Sequence, residues 1–237
     1  SFYAVKKAMA GRRACFSGDI GCYTLGNAAP LNMVDTCLCM GAGVTMAQGI
    51  ARMEKDTTAF AFIGDSTFFH TGIPGVVNAI YNGADEVIVV LDNSTTAMTG
   101  RQGNPFNGET LQKRPSRELD LEGVVRALGV GDVRTVDPHD ARAVRAALKD
   151  ATGTGELSVL VFRAPCVLLE RTRKPAYLVT GACTACGVCP TLGCPAIAKD
   201  AETGRASIDP GLCIGCGQCA QYCAFNAIEQ PEGGSHE

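Results

Sequence analysis

Two groups of residues in this 237-residue chain have the types and spacing to do chemistry. The first is a pair of oxygen-rich strand ends. An apolar run from Ala59 to Ile63 stops at Gly64, Asp65 and Ser66, and a second, VIVVLDN, ends on Asp92 and Asn93. In a parallel sheet, ligands bind at the carboxyl ends of the strands, where loops leave for the helices. Asp65 and Asn93 presented there together supply oxygen ligands for Mg2+, which demands octahedral geometry and usually completes it with water and phosphate oxygens. Gly64 leaves room for a diphosphate to approach the backbone. A strand-end Asp that only caps the next turn is the plainer alternative.

The second group is made of cysteines. Of the thirteen, eight lie between Cys183 and Cys223 at short regular spacings. Cys183, Cys186 and Cys189 precede Cys194 and Pro195; Cys213, Cys216 and Cys219 precede Cys223. A C-x2-C-x2-C triplet with a more distant fourth cysteine is the two-cluster bacterial ferredoxin pattern, in which each fourth cysteine ligates the other run's cluster. One [4Fe–4S] cluster is therefore expected on Cys183, Cys186, Cys189 and Cys223, and another on Cys213, Cys216, Cys219 and Cys194. Zinc is the alternative, but its sites typically take paired Cys or Cys with His in sets of four. Three cysteines in one tight run, twice, suit a cubane corner better. The first run has a four-residue gap before Cys194, and Ala224 follows Cys223 where Pro is usual; neither change removes a ligand. Clustered cysteines of this kind fit metal ligation in a reducing, cytoplasmic setting better than disulfides.

These residues need elements to hold them. Strands are expected at 15–20, 58–64, 86–93, 132–137 and 157–164, and helices at 41–54, 73–82, 121–129 and 139–151. Uniformly apolar strands separated by helices predict an α/β fold, a mostly parallel sheet with helices on both faces. Residues 94–118 break the rhythm with Gly, Asn, Pro and Thr, and a loop of that length is usually functional or disordered. The expected organisation is a cofactor-binding domain over 1–165, a linker over 166–180, a small ferredoxin-type domain over 181–229 and a tail over 230–237. The N-terminus has no initiator Met and no signal-peptide pattern, and it opens on apolar residues at helical spacing (Phe2, Val5, Met9). The expectation is a chain that begins within a larger polypeptide.

Bulk composition excludes several functions. The balance of 21 basic and 24 acidic residues is near neutral, without the basic stripe of a nucleic-acid binder. No apolar stretch approaches the roughly 18 residues of a membrane span. Gly41-Ala42-Gly43 at a helix start invites a dinucleotide reading, but no clear strand precedes it and no acidic residue follows at the required distance.

The segments GDIGCYTLG (18–26), VDTCLCMGAG (34–43), GDSTFFHTG (64–72) and LDNSTTAMTG (91–100) together resemble the thiamin diphosphate (TPP) domain of the 2-oxoacid:ferredoxin oxidoreductases. Within that family the resemblance is strongest to the large (alpha) subunit of the indolepyruvate branch, where a two-cluster ferredoxin domain follows directly. GDS…DN stands for the usual GDG…NN motif. The resemblance implies that Asp65, Asn93 and the Thr95 carbonyl ligate Mg2+. It also implies that Gly41, Gly64, Ser66, Met98 and Thr99 line TPP, with Cys22 nearest the reactive carbon and His70 contacting substrate or moving a proton. Arg101 stands where the family commonly has His, which puts any role carried over to it in doubt. Cys15, Cys22, Cys37 and Cys39 contain no CxxC and are expected to pack as small polarizable residues rather than to hold a third cluster. The Arg12-Arg13 and 171–174 clusters read as solvated faces rather than a coenzyme A site.

The implied reaction is oxidative decarboxylation of an aryl 2-oxo acid with coenzyme A, electrons passing through two [4Fe–4S] clusters to an external ferredoxin. Alternatives are relatives acting on pyruvate, 2-oxoglutarate or phenylglyoxylate, or an electron-transfer module with a vestigial TPP fold. The pyrimidine-binding portion with its Glu is not found in these residues, so turnover is expected to require it, a smaller beta subunit and an alpha2beta2 hetero-oligomer.

Overall fold

A computed structural model describes residues 1–170 and 174–231. Most of the expected tail, 232–237, and residues 171–173 of the basic cluster lie outside the described residues. The chain divides into two units, Ser1–Ala28 with Asn32–Cys166, and Ala29–Leu31 with Val167–Glu237.

The first unit runs α1 (Phe2–Ala8), β1 (Ala14–Gly18), β2 (Thr36–Cys37), α2 (Ala42–Met53), β3 (Thr58–Gly64), α3 (Asp65–Thr67), α4 (Ile73–Tyr81), β4 (Glu86–Asp92), α5 (Leu121–Ala127), β5 (Asp132–Val136), α6 (Ala141–Ala151) and β6 (Ser158–Arg163). Its six strands are all parallel, in the order β2-β1-β3-β4-β6-β5. The centre of the sheet is apolar on both faces because helices cover both. Ala59, Ala61, Ile63, Ile88, Val90, Val159 and Val161 join Val44, Val76 and Val125 from α2, α4 and α5 in one core. The alternate residues of β3 face the other way, where Phe62 meets Phe2 of α1 at 4.6 Å between ring centroids. Each fully buried residue of this size contributes roughly 1.5–3 kcal/mol of apolar transfer.

Two local features depart from the sequence pattern. β2 is a two-residue edge strand inside VDTCLC, too short for any periodicity to mark. Residues 65–72, expected as a loop, are helical: α3 opens directly on Asp65, passes through a π turn at Phe68–Gly72 and continues as α4. Pro74 signals a helix start because it has no N–H to bond backwards. It sits at the seam where the π turn gives way to α-helix, so the helical run passes through it. Single π turns inside helices are frequent at functional sites.

In the second unit β7 (Leu178–Val179) pairs antiparallel with β10 (Ile228–Glu229), and β8 (Ile197–Lys199) with β9 (Ala206–Ile208). A four-residue helix, α7 (Gln218–Gln221), follows the second cysteine run. β7 falls inside the expected 166–180 linker, so the end of that segment is structured by pairing with the last strand.

Candidate cofactor and electron-transfer sites

β3 and β4 are hydrogen-bonded neighbours with Gly64 opposite Leu91, so Asp65 and Asp92-Asn93 leave the sheet side by side. Asp65 is 3% exposed. Its Oδ1 accepts the Ser66 amide at 2.8 Å and its Oδ2 accepts Asn104 Nδ2 at 2.8 Å. The Ser94 amide also points at it, which places the carboxylate over the 92–95 turn. Asn93 Oδ1 accepts the Thr95 amide at 3.1 Å. Burial pushes the Asp65 carboxyl up to about 6, with nearby Asp92 adding to the rise against the Ser66, Asn104 and Ser94 donors. Among the described residues no Lys or Arg pairs with it. A buried carboxylate surrounded only by neutral donors, beside an Asn oxygen, is a donor set that fits a hard cation.

Asp92 is treated differently. Its Oδ2 accepts Arg163 Nε at 2.6 Å from the adjoining strand, its Oδ1 accepts the Ser94 amide, and Arg163 also reaches Glu122 of α5 at 3.2 Å. The two residues are register partners, Asp92 opposite Arg163. The backbone carbonyl of Asp92 accepts Ala164 N–H and that of Asn93 accepts Cys166 N–H, so the turn is fastened along its length.

A third carboxylate, Asp19, sits fully buried just past the end of β1. It accepts the Gly41 amide at 2.8 Å at the start of α2 and is hydrogen-bonded to the Tyr23 hydroxyl. Gly41 is left-handed, φ 87°, and a Cβ there would strike Thr71 Oγ1 at 2.2 Å. Its amide is thus already engaged. Gly64 is also required by packing: a Cβ there would meet the Tyr23 ring at 2.8 Å.

The long loop is ordered over this edge. Thr96 Oγ1 donates to Ser66 Oγ at 2.9 Å, Thr95 Oγ1 donates to the Gln102 carbonyl, Asn104 holds Asp65, and Phe106 packs on Phe69 at 4.5 Å. Met98 and Thr99 are exposed on it, with the Thr99 hydroxyl bonded to Gln102. Cys22 is exposed at the start of a 3-10 turn (Cys22–Asn27), and His70 is exposed in the π turn. The structure therefore brings together Asp65, Ser66, Asn93 and Thr95. Sequence reasoning missed Asn104, Asp19, Tyr23 and Arg163. Buried polar residues at strand ends were the available signal for Asp19, and the Asn in an otherwise aperiodic loop gave none.

The cysteines of the second unit fall into two sets. Cys183, Cys186, Cys189 and Cys223 line one hollow, and burial together with the other three sulfurs raises the Cys189 thiol. Burial, with Cys216, Cys194 and Cys213 beside it, pushes Cys219 up to about 11. Each set draws its fourth sulfur from the other run. Crowded sulfurs that resist ionisation are what a thiolate-bound metal cluster would relieve. No three of His, Cys, Asp and Glu among the described residues form a single-ion site, and Cys15, Cys22, Cys37 and Cys39 lie free in the first unit.

Together these features make an α/β domain with an all-parallel sheet and a buried carboxylate, without a cationic partner among the described residues, at its carboxyl edge. Residues 19–162 match the thiamine pyrophosphate enzyme family, C-terminal TPP binding domain, and the chain belongs to that family. Residues 206–229 match the 4Fe-4S binding domain. The chain is 43% identical over 97% of its length to the indolepyruvate oxidoreductase subunit IorA of Thermococcus kodakarensis, spanning 38% of that relative. It is 41% identical over 97% of its length to IorA of Archaeoglobus fulgidus, again spanning 38% of the relative. Among solved structures it is similar to 2-oxoglutarate:ferredoxin oxidoreductase from Magnetococcus marinus, with TM-score 0.61 and 16% identity over 70% of this chain and 60% of that one. That likeness shows the shared fold.

Proposed function

We propose that this chain carries the diphosphate half of a thiamin diphosphate site and two [4Fe–4S] clusters of an indolepyruvate:ferredoxin oxidoreductase. The supporting observation is Asp65, buried without a cationic partner among the described residues and aimed at the turn that carries Asn93 and Thr95. Asp65, Asn93 and the Thr95 carbonyl would hold Mg2+ against the cofactor's diphosphate. Bound thiamin diphosphate supplies the electron sink for decarboxylation of a 2-oxo acid. The protein's part is binding and orientation. Asn104 and the Ser66 amide fix the Asp65 rotamer, Arg163 neutralises Asp92 so that one carboxylate rather than two faces the metal, and the 94–118 loop lies over the site. Cys22 and His70, both exposed, would be the side chains that meet substrate. Cys183, Cys186, Cys189 and Cys223, and Cys213, Cys216, Cys219 and Cys194, would hold clusters able to take electrons one at a time for delivery to a ferredoxin, and coenzyme A would be the acyl acceptor.

The aryl substrate is supported by similarity to the IorA subunits, which are named for indolepyruvate. The remaining 62% of such a relative's length would supply the pyrimidine-binding portion, and a smaller beta subunit completes a cytoplasmic alpha2beta2 assembly. Among the described residues no helix is long and apolar enough to cross a membrane. The test is calorimetric titration of Mg2+ and TPP into the chain. Asp65→Ala abolishes binding on this reading, and an unchanged isotherm would overturn it. Oxidation rates of the full assembly across indolepyruvate, pyruvate, 2-oxoglutarate and phenylglyoxylate then decide the substrate.

A further inference from the structure

The two cysteine sets are chemically alike, but the charges around them are not. The hairpin of β8 and β9 carries Arg205 immediately before its second strand and Asp209 immediately after it. The two residues are four apart in extended chain, about 13 Å. At one end, Arg205 Nη2 donates to the Gly181 carbonyl at 2.5 Å and to the Thr180 carbonyl at 3.4 Å, which fastens the guanidinium to the turn leading into Cys183. It lies within hydrogen-bond reach of Cys183 Sγ, which also faces the Ala206 and Ala185 amides. In the hairpin turn the Asp200 carboxylate faces the turn itself, its Oδ1 accepting from the Thr203 hydroxyl and amide and from the Glu202 amide, and no ion pair between it and Arg205 is found among the described residues. Lys199 adds a second cation at this end, opposite Ala206 in the pairing.

At the other end the sign reverses. The Cys213 amide donates to the Asp209 carbonyl at 3.0 Å, and Asp209 Oδ1 accepts the Gly211 amide at 2.7 Å, two residues before the ligand run begins. A carboxylate therefore stands four residues ahead of Cys213, bonded to the Gly211 amide, and a guanidinium stands beside Cys183.

We propose that this hairpin polarises the pair, Arg205 making the cluster held by Cys183, Cys186, Cys189 and Cys223 the higher-potential one and Asp209 lowering the other. The inference rests on the two-cluster reading above. Reduction adds one electron to each cluster, [4Fe–4S]2+ + e− → [4Fe–4S]+, with no bond made and no proton moved. A nearby positive charge and N–H donors on sulfur favour the more negative product, while a nearby carboxylate opposes it. The first cluster would then be the resting place of the first electron, and the second the more strongly reducing exit.

The experiment is an anaerobic redox titration of the iron–sulfur-loaded chain with dithionite, followed by electron paramagnetic resonance. Wild type is expected to show two midpoints. Arg205→Gln shifts one of them down and leaves the other in place, Arg205→Lys keeps it near the wild-type value, and Asp209→Asn shifts the other midpoint up. The proposal is overturned if Arg205→Gln moves neither midpoint or both equally. It is also overturned if Arg205→Lys falls as far as Arg205→Gln, since hydrogen-bond shape rather than charge would then be responsible. Iron content, measured first, separates the two ideas: wild type binding only four irons sinks the two-cluster reading, and this inference with it.

Discussion

Asp65, Asp92 and Glu86 are three buried carboxylates of one sheet, each kept by a different means. Asp92 has a guanidinium partner, and its side chain is 3% exposed against 42% for Arg163, so the pair is anchored inside and solvated outside. Asp65 has only neutral donors and fits a metal. Glu86 lies at the opposite, amino-terminal edge, 1% exposed, with no well-formed hydrogen bond to either oxygen among the described residues. Burial pushes its carboxyl from 4.5 up to about 8, against a weaker pull from Gln48. Across that window the folded chain keeps a proton that the unfolded chain releases. Stability should therefore fall as pH rises from 4.5 toward 8, by at most about 1.4 kcal/mol per unit, and level off above. Glu86→Gln should flatten this slope, matching wild type near pH 4.5 and exceeding it near pH 8. Urea midpoints at several pH values would show it; parallel curves for the two proteins would count against a neutral Glu86.

Among the elements, the 94–118 loop decides most about the site. It has no period, yet it is tied to the sheet edge at Ser66, Asp65 and Phe69. Asn104→Ala removes one hydrogen bond to a charged group, in the range of roughly 1.5–3 kcal/mol. Mg2+–TPP affinity should drop by about tenfold or more, checked by calorimetric titration of Asn104→Ala beside wild type. Phe106→Ala should act at the same site through a different contact, speeding proteolysis within 94–118 as the ring leaves Phe69 and the edge of the core. Equal protease resistance of variant and wild type would show that the ring contact does not hold the loop. The loop's anchors were illegible in the sequence because each is a single polar atom meeting a residue dozens of positions away.

Over the whole molecule, the chain divides into two units, one matching a TPP-binding domain and the other a 4Fe-4S binding domain. Their independence is testable through the crossed cysteine sets. Cys223→Ser removes a sulfur that lies in the second run but lines the hollow of the first run's set. It should halve the iron content, abolish one of two cluster signals, and leave Mg2+–TPP binding unchanged. Complete loss of iron would mean that the sets do not assemble separately.

What the residues determined alone was local and periodic. Apolar runs at 58–64 and 86–93 marked the central strands, because strands buried on both faces tolerate little else. The eight cysteines marked the two sets into which the fold gathers their sulfurs, because each run repeats the C-x2-C-x2-C spacing. Asp65 and Asn93 were legible because a strand end followed by a carboxylate is conspicuous. Tertiary structure decided the rest: that Arg163 meets Asp92 across a strand pair, that the Tyr23 ring packs against Gly64, that residues 65–72 are helical, and that Arg205 stands beside Cys183. Each of these joins residues that only folding brings together, and no spacing in a single sequence encodes which distant partner will arrive.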